Sequence, residues 1–310
     1  MKSVKRILKV YQGSKIKNIK KLKFLNIRNR TVYNITAPFK YENKTYLIGR
    51  VENPKDETSI IRFFKKTNSY FVSDNSFQTF ELEDPFITKI KDCYILGGVE
   101  TKPDRHERLK WRTIFYQGKN LRNLRKFAAG PWGMKDIRLI ELPNSKIGVF
   151  TRPQGKKGRR GKIGFFEINS LSELKPRKIS QAKIIPQLFA RGEWGGANDI
   201  LILKTGKIGI LGHVARFSKD KNKFYYPMVF AFDPTTGKTS TMRMICRRAE
   251  LPEGDSKKPD LYNVVFPGGI IRKGRNLATI YIGIADFESY EITVQDPFKY
   301  YEKNDKQIFG

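Results

Sequence analysis

Five segments of the chain follow one plan of polar and apolar positions. A short strand-like run opens beside a polar residue, a polar turn follows, and a second, almost continuously apolar run ends in Gly with a charged or polar residue close behind. The segments are ITAPFKYENKTYLIGRVE (Ile35–Glu52), EDPFITKIKDCYILGGVE (Glu83–Glu100), KDIRLIELPNSKIGVFTRPQG (Lys135–Gly155), ANDILILKTGKIGILGHVAR (Ala197–Arg216) and NVVFPGGIIRKGRNLATIYIGIADFE (Asn263–Glu288). The turns ENK, IKD, PNS, KTG and KGRN carry the residues that tight turns need, so each segment reads as a β-hairpin. Second runs such as TYLIG and KIGIL suit strands buried on both faces.

Those second runs start near Thr45, Cys93, Lys146, Lys207 and Thr279, at intervals of 48, 53, 61 and 72 residues. Each interval leaves room for two more strands, among them Ile60–Lys66, Arg112–Gly118, Lys162–Ile168 and Pro227–Asp233. Four strands per unit and five units predict an all-β fold, a five-bladed β-propeller, as one domain over residues 1–310. A β-sandwich with chance hairpins is the alternative, and five matches in order weigh against it. No long amphipathic helix is evident.

Composition fits this picture. The 310 residues include 22 Phe and 14 Tyr, a bias toward strands. Two cysteines, Cys93 and Cys246, are too few for a disulfide framework, so a reduced, cytoplasmic setting is expected. The basic N-terminus MKSVKRILKV lacks a signal-peptide core, and no apolar stretch of about 18 residues predicts a membrane span. The net charge of +31 admits a nucleic-acid partner or a basic solvated surface on an enzyme for phosphorylated substrates. Clusters occur at Lys15–Lys23 and Lys156–Lys162, but the basic residues are spread throughout with no nucleic-acid motif, which favours the solvated surface.

Hairpin geometry places candidate chemistry. Each first strand starts beside the end of the second, so the polar residues at the two positions share the end away from the turn. This sets Asp84 beside Glu100, Asp136 beside Arg152, Asp199 beside His213 and Arg216, Asn263 beside Asp286 and Glu288, and Thr36 beside Arg50 and Glu52. Singly, such residues cap strands or hold turns. Together they predict a charged ring at one mouth of the propeller channel, with Glu83 and Lys135 adjoining it. Trp132 and Trp194 lie near the same loops, either stacking on sugar rings or packing. Pro85 is expected to hold Asp84 extended, with Glu83 and Glu100 raising its pKa. Only two histidines, His106 and His213, and no HExxH, CxxC, GxSxG or P-loop spacing are present, so neither a metal nor a cofactor is expected.

The segment EDPFITKIKDCYILGG resembles the E-D-P-R-I segment of the inverting β-mannoside phosphorylases, and VVFPGG with YIGIAD resembles their V-V-F-P segment and following strand. With GRVE, GMKDIRLIELP and GEWGGANDILIL, the chain from Ile35 to Asp296 resembles the related mannosyltransferase/phosphorylase family of trypanosomatid mannan reserves and its bacterial relatives. The resemblance implies a five-bladed propeller acting on β-1,2-linked mannooligosaccharides, with phosphate releasing mannose 1-phosphate reversibly or GDP-mannose as an alternative donor. It implies Asp84 as the acid, acting through the 3-hydroxyl of the bound sugar. Arg152, His213, Arg216 and Lys135 would hold phosphate, and Arg50, Glu52, Glu83, Asp136, Trp194, Asp199 and Asp286 would contact substrate. The chain departs from the motif at Phe86, where those phosphorylases carry Arg, and Arg138 in KDIR is a candidate substitute. Two other readings remain: a hydrolase of the same propeller group with Asp136, Asp199 or Glu193 as base, and a non-catalytic propeller that binds nucleic acid or another polyanion.

Overall fold

The computed structural model describes residues 3–13 and 15–310; Met1 and Lys2, which open the basic N-terminal stretch, lie outside them. Five sheets succeed one another along the chain as the blades of a β-propeller. In the first blade Thr31–Tyr33 and Phe39–Tyr41 lie end to end along Lys44–Glu52, followed outward by Ser59–Thr67 and Tyr70–Ser73. The second runs Glu83–Ile90, Cys93–Pro103, Leu109–Gly118 and Arg125–Ala129. The third is Arg138–Glu141, Ile147–Thr151, Gly164–Ile168 and Lys183–Ile184, and the fourth Trp194–Ile202, Ile208–Phe217, Lys223–Phe232 and Arg243–Met244. The fifth begins with Val265–Lys273, Leu277–Ile284 and Glu288–Gln295. The five repeated hairpins are the innermost strands of the five blades, as the sequence predicts.

The second strands are buried because they face a neighbouring blade on each side. Ile147–Thr151 has no exposed residue. Five apolar clusters fill the spaces between successive blades: Phe86 and Ile95 meet Leu139 and Val149 between the second and third, and Leu47 and Phe64 meet Tyr281 between the first and the last. Turn chemistry is local. Glu42 and Asn43 both have positive φ (46° and 58°), the geometry of a two-residue turn whose twist matches a hairpin, and they join Tyr41 to its partner Lys44.

The ring is closed by the N-terminal segment. Asn18–Lys21 adds an antiparallel fourth strand to the last blade, with Ile19 opposite Ile292, and Lys21 pairs with Glu288. The chain then crosses directly to the first blade, where Lys23–Leu25 runs parallel to Tyr70–Ser73. The Lys15–Lys23 cluster is therefore mostly closing strand. Its lysines project to solvent while its backbone completes two sheets.

Candidate active site

A cleft of about 1600 Å³ opens at one mouth of the channel, lined by side chains from every blade. Its acidic residues owe their placement to a backbone device. Asn34, Asp84, Asp136 and Asp286 all have φ between 47° and 57°, the left-handed region that Asn and Asp tolerate best. Pro85 does not hold Asp84 extended. A bulge between Glu83 and Phe86 inserts an extra residue into the inner strand and turns the Asp84 carboxyl inward.

Around Asp84 the charged groups are all matched, and only the Asn34 amide oxygen is buried without a partner among the described residues. The buried Arg50 guanidinium donates from Nε to Ser59 Oγ (2.9 Å), from Nη2 to Glu52 Oε2 (2.6 Å), and from Nη1 to Glu83 Oε2 (3.1 Å) and Asp84 Oδ1 (3.3 Å). Its flat face lies on the Tyr33 ring, 4.9 Å from the centroid. Tyr33 donates to Glu52 at 2.6 Å, and Lys257 reaches Glu52 at 2.8 Å. Asp84 also accepts from Asn34 Nδ2 (2.9 Å), and Lys135 Nζ stands 3.9 Å from its other oxygen. Burial pushes the Asp84 carboxyl up, but Arg50, Lys135 and Asn34 outweigh it and hold the group below the usual carboxylate range. The expected upward shift from Glu83 and Glu100 is thus reversed, because Arg50 stands among these carboxylates and Glu100 is held by Arg112 and Lys102. Asp286, half-buried on the same wall, is the opposite case. Burial and the neighbouring Asp84 charge raise its pKa above the cations' pull.

Around Asp136 the groups are under-matched. Arg152 Nη1 donates to Asp136 Oδ2 at 2.6 Å, the contact that the hairpin pairing predicts. Asp136 Oδ1, Arg152 Nε and His213 Nε2 are buried without a protein partner. The backbone makes room for this cluster: a Cβ at Gly196 would stand 3.2 Å from both Arg152 Cδ and Asp136 Oδ2, and Gly161, at φ +144°, lies against the Arg152 guanidinium. Against burial, Arg152 and Lys135 hold Asp136 well below the carboxylate range. Burial, then the Arg152 charge, pushes the His213 pKa down to about 3, so its ring is neutral. Its Nδ1 lies 2.8 Å from Asn198 Oδ1. Turning the Asn198 amide over lets Nδ2 donate to Nδ1 and leaves the Nε2 proton free to donate.

The cleft therefore brings together Arg50, Glu83, Asp84, Lys135, Asp136, Arg152, His213 and Asp286. Glu52 stands just behind, buried under Arg50 and Lys257. Three expected residues fall elsewhere. Asp199 lies in the channel below the cleft, accepting from the Ile270 and Ile200 amides rather than meeting His213, because a bulge between Ala197 and Asp199 puts Asn198 in its place. Arg216 is an odd number of residues from His213 on one strand, so it projects from the opposite face, where it donates to Tyr226 Oη and covers Phe224. Trp194 is buried behind the cleft wall, its indole N–H donating to Tyr225 Oη at 3.1 Å. Arg138 and Phe86 also belong to the channel: Arg138 donates to the Asn198 and Ile137 carbonyls and stacks on Phe86 at 4.6 Å, so it supplies no group to the cleft. Thr36 faces the channel too. Sequence reasoning missed Asn34, Asn198, Tyr225 and Lys257. Only Asn34 had a signal, since YNI in the first unit parallels EDP and KDI.

No curated protein matches the sequence. The family model described as "Protein of unknown function (DUF1861)" matches residues 9–300. Among solved structures, a mannose phosphorylase from Leishmania mexicana, in complex with phosphate ion, superposes with a TM-score of 0.87 at 31% identity, over 93% of this chain and 91% of that one. The chain belongs to this mannosyltransferase/phosphorylase family. A second member, a GDP-Man-dependent mannosyltransferase from Leishmania mexicana, is 30% identical with a TM-score of 0.84, covering 92% of each chain. The β-1,2-mannobiose phosphorylase of Listeria innocua, at 16% identity and a TM-score of 0.63 over 96% of this chain and 94% of that one, shares the fold. As a member of the mannosyltransferase/phosphorylase family, the protein is a carbohydrate-active enzyme. Among the described residues no helix is long and apolar enough to cross a membrane.

Proposed function

We propose that the protein is an inverting β-mannoside phosphorylase, acting on β-1,2-linked mannooligosaccharides to release mannose 1-phosphate reversibly. The observation that carries this reading is the Asp136 cluster. Two buried nitrogens without protein partners, Arg152 Nε and His213 Nε2, flank a carboxylate already taken by Arg152, and the Lys135 ammonium, 3.9 Å from Asp84 Oδ2, adds its charge to both carboxylates. Asp136 fixes the guanidinium, Arg152 and Lys135 supply charge, and neutral His213, in the tautomer protonated at Nε2 that the turned Asn198 amide permits, supplies a directed hydrogen bond. This is an oxyanion receptor rather than a seat for a hydrolytic water. The phosphorylase from Leishmania mexicana solved with phosphate supports the same reading.

Asp84 is the proton carrier. In the free enzyme Arg50 and Lys135 keep it ionised, ready to take the proton of an acceptor hydroxyl in the synthetic direction. Phosphate bound by Lys135 draws that charge off Asp84 and adds its own negative charge nearby. Both changes raise the Asp84 pKa, so the acid becomes protonated as the nucleophile arrives. In phosphorolysis the proton then passes to the glycosidic oxygen, directly or through a sugar hydroxyl. A phosphate oxygen attacks the anomeric carbon from the opposite face, and the bond to the leaving sugar breaks. Mannose 1-phosphate and a shortened chain result. Incubation with β-1,2-mannobiose, with and without phosphate, tests this. Mannose 1-phosphate formed only with phosphate is expected. Free mannose released equally in both arms would make the protein a hydrolase.

A further inference from the structure

We propose that Trp132 is a stacking platform for a distal sugar of the oligosaccharide, an outlying subsite on the lip of the second blade; this rests on the mannoside reading above. Trp132 is 46% exposed, an unusual position for an indole beside a charged cleft. It caps the tight turn that joins the second blade to Lys135. Gly133, at φ +79°, lets the turn close, and its amide donates to the Trp111 carbonyl at 2.8 Å. On either side, the Gly130 amide donates to Thr113 O (2.7 Å) and the Thr113 amide to Met134 O (3.1 Å). The turn is thus fastened along the strand Leu109–Gly118, and the indole is held out on a rigid mount.

One face of the ring is already covered. The Arg112 guanidinium lies 4.3 Å from its centroid, and Arg112 Nε donates to Glu100 Oε2 at 2.7 Å. Glu100 lines the cleft, together with Thr101, Lys102 and the 63%-exposed Leu109. The platform is therefore tied to the cleft wall by one ion pair. Three residues of chain also put its Cα within about 11 Å of that of Lys135. A ligand that fills the cleft and extends past its blade-two lip meets the free face of the indole.

The surroundings select the ligand. The cations near the ring are already paired, Arg112 and Lys102 with Glu100 and Lys110 with Asp104, so they offer little free charge to recruit an ion, and the ring face itself disfavours an anion. A neutral pyranose, with polarised C–H groups on one face, fits both. A flat nucleobase would also stack and is the competitor to exclude.

Calorimetric titration of β-1,2-linked mannobiose, mannotriose and mannotetraose into the wild type, Trp132→Ala and Trp132→Phe is the test, with GMP as a further ligand. The wild type is expected to bind the longest chain about tenfold more tightly than the disaccharide, the scale of one aromatic contact. Trp132→Ala should collapse that ratio toward one, and Trp132→Phe should restore most of it. A ratio unchanged in Trp132→Ala, or no length gain in the wild type, overturns the platform alone. So does loss of GMP affinity in Trp132→Ala, which would make it a base-stacking site. Failure of every mannoside to bind the wild type overturns the functional reading as well.

Discussion

The two halves of the cleft differ in how completely their charges are satisfied. Arg50 spends all three nitrogens on four acceptors and its face on Tyr33, so the charges of the Asp84 half are closed on one another, with the neutral Asn34 Oδ1 its one bare atom. Arg152 commits Nη1 to Asp136 and leaves Nε bare, beside His213 Nε2 and Asp136 Oδ1, which are equally bare. Buried polar groups are nearly always paired. Bare nitrogens also occur away from the cleft, at Arg216 and Arg248, so it is the gathering of three bare atoms on cleft-lining residues that points to a ligand at Asp136. Under the proposed function, two arginines of similar burial take different tasks: Arg50 would hold the proton carrier, and Arg152 the oxyanion.

The sharpest way to break this division is Arg50→Met. It leaves Glu52, Glu83 and Asp84 facing one another with only Lys257, Lys135 and the neutral donors, and removing one partner of a buried charge network costs about 3–5 kcal/mol. Denaturant unfolding should show that loss at neutral pH and a partial recovery toward pH 4, because the freed carboxylates then bind protons more readily folded than unfolded. A stability within experimental error of the wild type would mean that the network is not the framework. Next in size is Asp84→Asn, which keeps the shape and removes the proton. Turnover on an unactivated mannoside should fall at least ~100-fold, the lower end of what acid–base catalysis contributes. Near-normal turnover would transfer the role to another acid, and Asp286, whose pKa is raised, would be the next to test.

Arg152→Lys opens the other half. Lys keeps the charge but cannot hold Asp136 and an oxyanion at once, so the phosphate KM should rise about tenfold, the value of one charge-assisted hydrogen bond, with kcat changed less. Equal phosphate dependence in variant and wild type would remove Arg152 from the site.

These expectations show which structure can be read from sequence. The inner hairpins are legible because double-sided burial leaves an unbroken apolar run. The closing strand Asn18–Lys21 is hidden because it is an edge strand whose backbone, not its lysines, carries the contact. Asp136–Arg152 is legible because both ends belong to one hairpin. Arg50–Asp84 joins two blades, and no periodicity within one hairpin encodes it. Asp199 was misplaced because a bulge adds one residue and shifts the partner of His213 to Asn198, and Arg216 because strand alternation was not applied beyond His213. At Asp84 and Asp199 one extra residue reverses the facing of a side chain, whereas Arg216 follows the unbroken alternation of its strand.

His213→Gln examines the open half through pH. The His213 pKa falls from 6.5 to about 3 in the folded protein. Between those values the unfolded chain binds a proton that the folded one refuses, so the wild type loses stability as pH falls through that window. The slope attributable to this residue is at most about 1.4 kcal/mol per pH unit. The variant, with no proton to take up, should show a shallower stability–pH profile between pH 6.5 and 4, where Asp84 and Asp136 contribute little. Parallel profiles would mean that His213 is charged in the folded state and belongs to the anion's counter-charge instead.

The smallest effect is expected at Arg216, and it checks the comparison from outside. By residue type alone Arg216 equals Arg152, and it lies three positions from His213. Its guanidinium, however, is stacked on Phe224 at 4.7 Å and bonded to Tyr226 Oη at 3.0 Å, across the strand from the cleft. Arg216→Lys retains a cation on the same surface and gives up part of that stacking, for which exposed cation–π contacts are worth about 0.5–1 kcal/mol. Stability should fall by no more than that amount, while the phosphate KM moves less than about twofold, within the scatter of a surface substitution. A tenfold change in KM, matching Arg152→Lys, would place the oxyanion on the far side of His213. The matched and unmatched halves of the cleft would then have to be redrawn around the fourth blade.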